Sequence, residues 1–383
     1  MIELSIDLKE ELIKIRRELH RYPELGLNEI FTSKFIVKKL KEMNLEVYDD
    51  IWETGVVGIL RGALPGKTIL FRCDMDGLKI QEETNCDYKS RNENMHACGH
   101  DIHVTWVLGA AKILSDMKHK IKGNIKFLFQ PAEENPGGAK EMIRHGVLDN
   151  PKVDYCIGAH VYPDFRVGEI GYREKEITAY PDFYSLKIFG KGGHGSMPHK
   201  CNNPIPVGAN IVSMFQNLIS LKINPFETAV ISTCIFRSGT SRGAIPDTLE
   251  IEGTARSYKK EIREFVEREM RKIVENICKI NDMKYEFQYN SACIPIYNNP
   301  LLTNNIVSNL KEQNFKYMFE PFLGGEDFAF FSRAAPSVFF FIGSSNENLE
   351  TNYPLHHPKF NVDENVVFVG IKLYYDIALY LLG

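Results

Sequence analysis

Apolar residues recur at helical spacing at Leu8, Leu12, Ile15 and Leu19 with charges between them, which predicts an amphipathic helix that Pro23 and Gly26 end. A second helix is expected over 28–43, with Phe31, Phe35 and Leu40 among its apolar positions. The period then shortens. Stretches 56–60 and 68–72 read as strands parted by a Pro65-Gly66 turn. Beyond them a helix is expected over about 103–117, a strand over 124–130, a helix over 139–145 and a strand over 153–159 that ends before His160. Strands alternating with helices predict a largely parallel sheet with helices on its faces.

The texture changes after Asp182. The order becomes strand (183–190), helix (about 204–222), strand (229–237), strand (248–256), helix (259–280), strand (284–290). This is the β-α-β-β-α-β arrangement of ferredoxin-like units. A helix over 301–313, an apolar strand over 338–342 and a final helix from about 364 to 382 then complete the first domain. The expected fold is therefore α/β in two domains. Residues 1–180 and 292–383 build a mixed, mostly parallel sheet flanked by helices, and an α+β domain is inserted at 181–291.

Composition narrows the class of protein. A chain of 383 residues, 44% hydrophobic and 25% charged, is long enough for two ordinary globular domains. The formal net charge of −4 argues against nucleic acid as a partner, and no run of apolar residues is long enough to span a bilayer. The first residues lack the basic start and apolar core of a signal peptide, so the expected location is the cytoplasm. Eight cysteines are dispersed along the chain, mostly in apolar runs, which fits free buried thiols better than disulfides.

One of those cysteines stands apart. The stretch Met95-His96-Ala97-Cys98-Gly99-His100-Asp101-Ile102-His103 holds three histidines, a cysteine and an aspartate. In an extended loop Cys98 and His100 would turn to the same side. A thiolate and an imidazole together suit Zn, Ni, Mn, Fe or Co better than Ca or Mg. Further donors fall near expected strand ends: Asp74 and Asp76 after 68–72, Glu133 and Glu134 after 124–130, and His160 after 153–159. A loop near the end offers His356 or His357.

Each of these has a plain reading when taken alone: a capping aspartate, a solvated glutamate pair, a hydrogen-bonded histidine. Together at one rim of one sheet they form a donor set too large for a four-ligand structural zinc site. The count suits two metals with open positions for water and substrate. Neighbouring Glu133 and Glu134 point apart, so one can bind metal while the other takes a proton from water. Two other readings use less of the pattern. Cys98 could be a nucleophile with its pKa lowered by the following helix, or the chain could bind metal as a scaffold without catalysis.

The motifs Arg16-Arg17-Glu18-Leu19-His20, Asp74-Met75-Asp76, Met95-His96-Ala97-Cys98-Gly99-His100-Asp101, Gln130-Pro131-Ala132-Glu133-Glu134, Gly190-Lys191-Gly192-Gly193-His194, Ile245-Pro246-Asp247, Gly325-Glu326-Asp327-Phe328 and Leu355-His356 run nearly the whole chain. In this order the chain resembles the amidohydrolase branch of the M20 metallopeptidase family. That branch includes hippurate hydrolases, N-acyl-amino-acid amidohydrolases and N-acetyldiaminopimelate deacetylases. The resemblance implies hydrolysis of the amide bond of a small N-acyl amino acid by a metal-activated water, with dipeptidase or aminopeptidase activity as the alternative within the family. It implies two divalent ions per subunit (Mn, Zn, Ni or Co) held by Cys98, His100, Glu134, His160 and His356, with Asp74 and Asp76 supporting the ligands. Glu133 becomes the general base, and His194 steadies the tetrahedral intermediate. Arg256 is the candidate for gripping a substrate carboxylate in a bidentate fork. The inserted domain becomes a lid and dimerisation domain, so a homodimer or higher homo-oligomer is expected.

The chain departs from the branch in three places. Gly77-Leu78-Lys79 stands where Ala-Leu-Pro is usual, Gly243-Ala244 where Asn-Val is usual, and His357 where serine is common.

Overall fold

The computed structural model describes residues 4–134, 137–291, 293–349 and 351–383, and the chain divides into two compact units. The first comprises Met1–Ile177, Ile296–Glu320 and Asp327–Gly383; the second comprises Thr178–Pro295 and Pro321–Glu326. The second unit is thus wider at both ends than 181–291, and it takes a short piece of the closing segment that the hydrophobic pattern assigns to the first domain.

In chain order the first unit opens with α1 (Ile6–Arg21), α2 (Ile30–Glu42), β1 (Glu46–Tyr48), β2 (Val56–Arg61) and β3 (Leu64–Asp74). It continues through α3 (His100–Asp116), β4 (Lys122–Gln130), α4 (Gly138–Arg144), β5 (Tyr155–Arg166) and β6 (Glu169–Tyr172). The second unit carries β7 (Tyr180–Phe189), α5 (Pro204–Lys222), β8 (Ala229–Arg237), β9 (Thr248–Ser257), α6 (Lys260–Ile280) and β10 (Lys284–Ser291). The chain then adds α7 (Pro300–Asn309), β11 (Asn314–Tyr317), α8 (Ala329–Ala334), β12 (Ser337–Ser345) and α9 (Val366–Leu382) to the first unit. The helix expected over 301–313 stops at Asn309, and the 314–317 stretch is a strand.

An eight-stranded mixed sheet in the order β1-β2-β4-β3-β5-β12-β6-β11 organises the first unit. Its centre, β4-β3-β5-β12, is parallel. Every residue of β12 is buried, as a parallel strand covered on both faces requires. The helix α3 is buried along most of its length and packs on α9 at very close range. Glycines permit this approach: a Cβ at Gly370 would lie 2.4 Å from the Trp106 indole, and one at Gly109 would lie 2.4 Å from Ile371. Trp106 Nε1 donates to the carbonyl of Val366 at 2.9 Å, so the buried indole is also satisfied.

The second unit has a four-stranded antiparallel sheet in the order β8-β9-β7-β10, with α5 and α6 packed on it. No helix among the described residues is long and apolar enough to cross a membrane.

Candidate metal centre

The helix α3 begins at His100, not near His103, and this changes how the first two donors are presented. Gly99 caps the helix in the left-handed region (φ 80), where a Cβ would also strike Val161 at 2.6 Å. Cys98 and His100 are therefore brought together by a tight turn into a helix, not by an extended loop. His160 differs from expectation too. It lies inside β5, paired opposite Phe341 of β12, because the strand continues to Arg166.

Five side chains of the first unit converge. Cys98 Sγ is 3.3 Å from His160 Nε2 and 3.3 Å from His356 Nε2. His356 Nε2 is 3.2 Å from Glu134 Oε1. Donor atoms of Cys98, His100 and Glu134 all lie within 4.8 Å of one another, and a second buried group, Asp74, His100, His103 and His160, shares His100 with them. His356 adopts a positive φ of 65° and donates its backbone N–H to Ala97 at 2.9 Å, which sets its ring beside Cys98.

The other nitrogen of two of these rings is already committed. His100 Nδ1 is 3.1 Å from Asp76 Oδ1, and His160 Nδ1 donates to the carbonyl of Val161 at 2.7 Å. Each thus presents Nε2 as the open donor, the arrangement in which a carboxylate or carbonyl orients a ligating imidazole. Asp76 also accepts the backbone N–H of Glu134 at 3.0 Å.

Electrostatics favour a cation here. His100 is pulled up to about 10: burial would lower it, but Asp74 and Asp76, then Glu134, outweigh burial. Its Nε2 is buried with no hydrogen-bond partner among the described residues. A proton-hungry imidazole with an unpartnered nitrogen facing a thiol and carboxylates fits a divalent ion with N, S and O ligands. Burial, then the negative Glu134 and Glu133, push the Cys98 thiol well above its usual range. The cysteine-nucleophile reading expected a lowered thiol; burial and the neighbouring carboxylates raise it instead. Burial, then His103, holds His160 well below its usual range, so it is a neutral donor.

Residues to which the sequence reading gave no role complete the arrangement. His103 Nδ1 is 2.6 Å from Asp74 Oδ1, and its Nε2 accepts the N–H of Val161 at 3.0 Å. The Asp327 carboxylate gathers Arg72 (2.8 Å), the Gln130 amide (2.8 Å) and the Ala139 N–H (2.9 Å). Gln130 ends β4 and Ala139 lies in the first turn of α4, so Asp327 ties the elements on either side of Glu133 and Glu134, and its backbone N–H donates to Glu133 Oε1 at 3.4 Å. His103 was visible in the nine-residue stretch and Asp327 in the Gly-Glu-Asp-Phe motif, but a motif does not say which bonds its residues make.

In the second unit, Gly193-His194 pairs with Ala244-Ile245, with Ala244 directly opposite His194. The Gly243-Ala244 departure therefore lies across the strand pair from the candidate histidine. Ser196 N–H donates to His194 Nδ1 at 3.2 Å, which leaves the proton on the exposed Nε2. Arg256 Nη1 donates to the carbonyls of Asp182 (3.1 Å) and Ala255 (2.9 Å), and its guanidinium lies over Phe183.

Comparison with known proteins places this chain in a family. Residues 70–380 match the model of peptidase family M20/M25/M40. Thermostable carboxypeptidase 1 of Saccharolobus solfataricus is 39% identical over 95% of this chain and 93% of its own. Hippurate hydrolase of Campylobacter jejuni is 35% identical over 99% and 98%. The crystal structure of the Bacillus subtilis YXEP protein, a dinuclear metal-binding peptidase of the M20 family, superposes with a TM-score of 0.83 at 32% identity, covering 99% of both chains. The chain belongs to peptidase family M20/M25/M40. It is a metal-dependent amidohydrolase of that family.

Proposed function

We propose that this enzyme hydrolyses the amide bond of small N-acyl amino acids. The observation that carries the reading is the convergence of Cys98, His160, His356 and Glu134 within 3.3 Å contacts, beside His100 and one residue from Glu133. Cys98, His100, Glu134, His160 and His356 would hold two divalent ions of the Mn, Zn, Ni or Co class, with Asp74 and Asp76 fixing the ligands from behind. Such ions lower the pKa of water and polarise a carbonyl.

Glu133 is the general base on this reading. It takes a proton from the attacking water and returns it to the departing amine. His194 donates its Nε2 proton to the developing oxyanion, a contribution of about 3–4 kcal/mol for one well-placed donor. Arg256 grips the substrate carboxylate with the donors its carbonyl contacts leave over. Hippurate is benzoylglycine, so the named activity of the Campylobacter relative supports an N-acyl amino acid. The Saccharolobus carboxypeptidase favours a second reading, a peptide with a free carboxyl end, which places the same amino acid on the amine side.

We also propose a homodimer. The strand β8 is an open sheet edge, and Val230, Phe236, Leu221 and Phe226 on or near it and α5 are exposed. The eight free cysteines support a reducing, cytoplasmic location.

A panel of N-benzoyl, N-acetyl and dipeptide substrates, with enzyme stripped by chelator and reloaded, tests the activity. Glu133→Ala should keep its metals and lose roughly 10²–10⁴-fold in kcat; near wild-type turnover would remove Glu133 from the role.

A further inference from the structure

A separate group of donors meets the first turn of α3 from the other direction. His20, in the last turn of α1, is buried, as is Glu82 in the loop after β3. His20 Nε2 lies 3.4 Å from Glu82 Oε1, and Cys86 Sγ lies 3.7 Å from the same oxygen. The ligand atoms of all three fall within 4.8 Å of one another. We propose that His20, Glu82 and Cys86 form a further binding site, distinct from the dinuclear centre, for a borderline divalent transition ion of the zinc class.

The geometry fits that ion. Zinc bonds of about 2.0 Å to nitrogen and oxygen and about 2.3 Å to sulfur put tetrahedral donors roughly 3.3–3.7 Å apart, the range of the two separations above. Both polar groups are pre-oriented. His20 Nδ1 is tied to Asp101 Oδ2 at 2.9 Å, which leaves Nε2 facing inward, the carboxylate–histidine arrangement typical of zinc ligands. Glu82 Oε2 accepts the N–H of Ser90 at 2.7 Å, which turns the other oxygen towards His20, Cys86 and the Thr84 hydroxyl; that hydroxyl donates to it and lies 3.2 Å from Cys86 Sγ.

Charge supports the same assignment. Arg16 Nε stands 2.9 Å from Asp101, so that carboxylate already has its cation. Without the ion, burial and Arg16 would lower His20 but Asp101 and Glu82 raise it, and burial raises the Cys86 thiol, so binding must release a proton from each. The thiolate, the Glu82 carboxylate, the neutral imidazole and one divalent ion then sum to zero, the balance a buried site needs. Thiol and imidazole donors select against calcium and magnesium. Cys86 is the one partly exposed member of the three, so the ion has a route in, and the Thr84 hydroxyl or a water can take the fourth position. The site would pin the 82–90 loop to the end of α1.

The test uses full-length protein stripped by chelator, to which Zn²⁺ alone is returned. Alkylation of each cysteine is followed by peptide mass. Zn²⁺ should slow alkylation of Cys86 at least 10-fold in the wild type, and Glu82→Gln should lose that protection. Cys86→Ser should bind one Zn²⁺ fewer per subunit than the wild type. Equal alkylation of Cys86 with and without Zn²⁺, or equal stoichiometry in Cys86→Ser, overturns the proposal. Cys98→Ser separates the two sites. Protection of Cys86 should persist in it whatever happens at the dinuclear centre, and its loss there would equally overturn the assignment.

Discussion

The backbone N–H of Val161 donates to His103 Nε2 at 3.0 Å, and this bond takes His103 out of the set of open donors. With Nε2 accepting, the ring carries its proton on Nδ1, where Asp74 receives it at 2.6 Å. His103 lies 4.5 Å from His160, centroid to centroid, and holds the residue whose carbonyl orients that ring. His103→Gln can still accept from Val161 but loses Asp74. We expect about 10–100-fold weaker metal binding with the fold retained, measured by chelator competition. Unchanged affinity would mean that His103 only fills space.

Asp327 bears on Glu133, the proposed base. The Asp327 carboxylate holds Gln130, at the end of β4, and Ala139, in the first turn of α4, on either side of Glu133. Asp327→Asn keeps the shape but removes the negative charge opposite Arg72 and replaces an acceptor oxygen with a donor. The expected result is a fall in kcat of at least ~10-fold, with KM and metal content close to wild type, because a misplaced base is costly while ligands stay in place. Steady-state kinetics with metal analysis decide it. A change in KM alone would point to substrate binding instead.

Glu29 gives a pH dependence from a carboxyl that is not itself one of the proposed metal donors, although it accepts the N–H of Ala132 beside Glu133. It is fully buried, with Thr54 and the Ala132 N–H as partners. Burial raises its carboxyl from 4.5 to about 7 against the opposing pull of those bonds. From roughly pH 4.5 to 7 the folded state keeps a proton that the unfolded chain has released, so stability falls as pH rises through that window. The loss is about 3 kcal/mol. Glu29→Gln can accept from Ala132 and donate to Thr54, so its urea midpoint should stay flatter between pH 5 and 8. Parallel wild-type and variant profiles would show that Glu29 does not titrate in this range.

The α3–α9 crossing predicts a steric cost. Gly370→Ala would set a methyl group 2.4 Å from the Trp106 indole, among fully buried side chains that cannot yield freely. Overpacking of this kind costs about 1–3 kcal/mol. A lowered urea midpoint at unchanged m-value is the expected reading.

Much of this protein is determined by its sequence alone. The alternation of short apolar runs with helical periods specifies the mixed sheet and the four-stranded second sheet, because each element must bury its own face wherever it lies. Residue chemistry likewise marks Cys98, His100, Glu133, Glu134 and His160 as donors, since thiol, imidazole and adjacent carboxylates have few other uses in such a cluster. Only the tertiary structure decides which atom of each residue is open. Asp76 and the Val161 carbonyl leave Nε2 facing inward on His100 and His160, and the turn at His356, held by Ala97, sets His356 beside Cys98. It also brings Asp327 to Gln130 and Ala139, on either side of Glu133, across 197 and 188 positions of sequence. Hydrogen bonds between residues so far apart have no local period, so the chain carries no pattern that announces them.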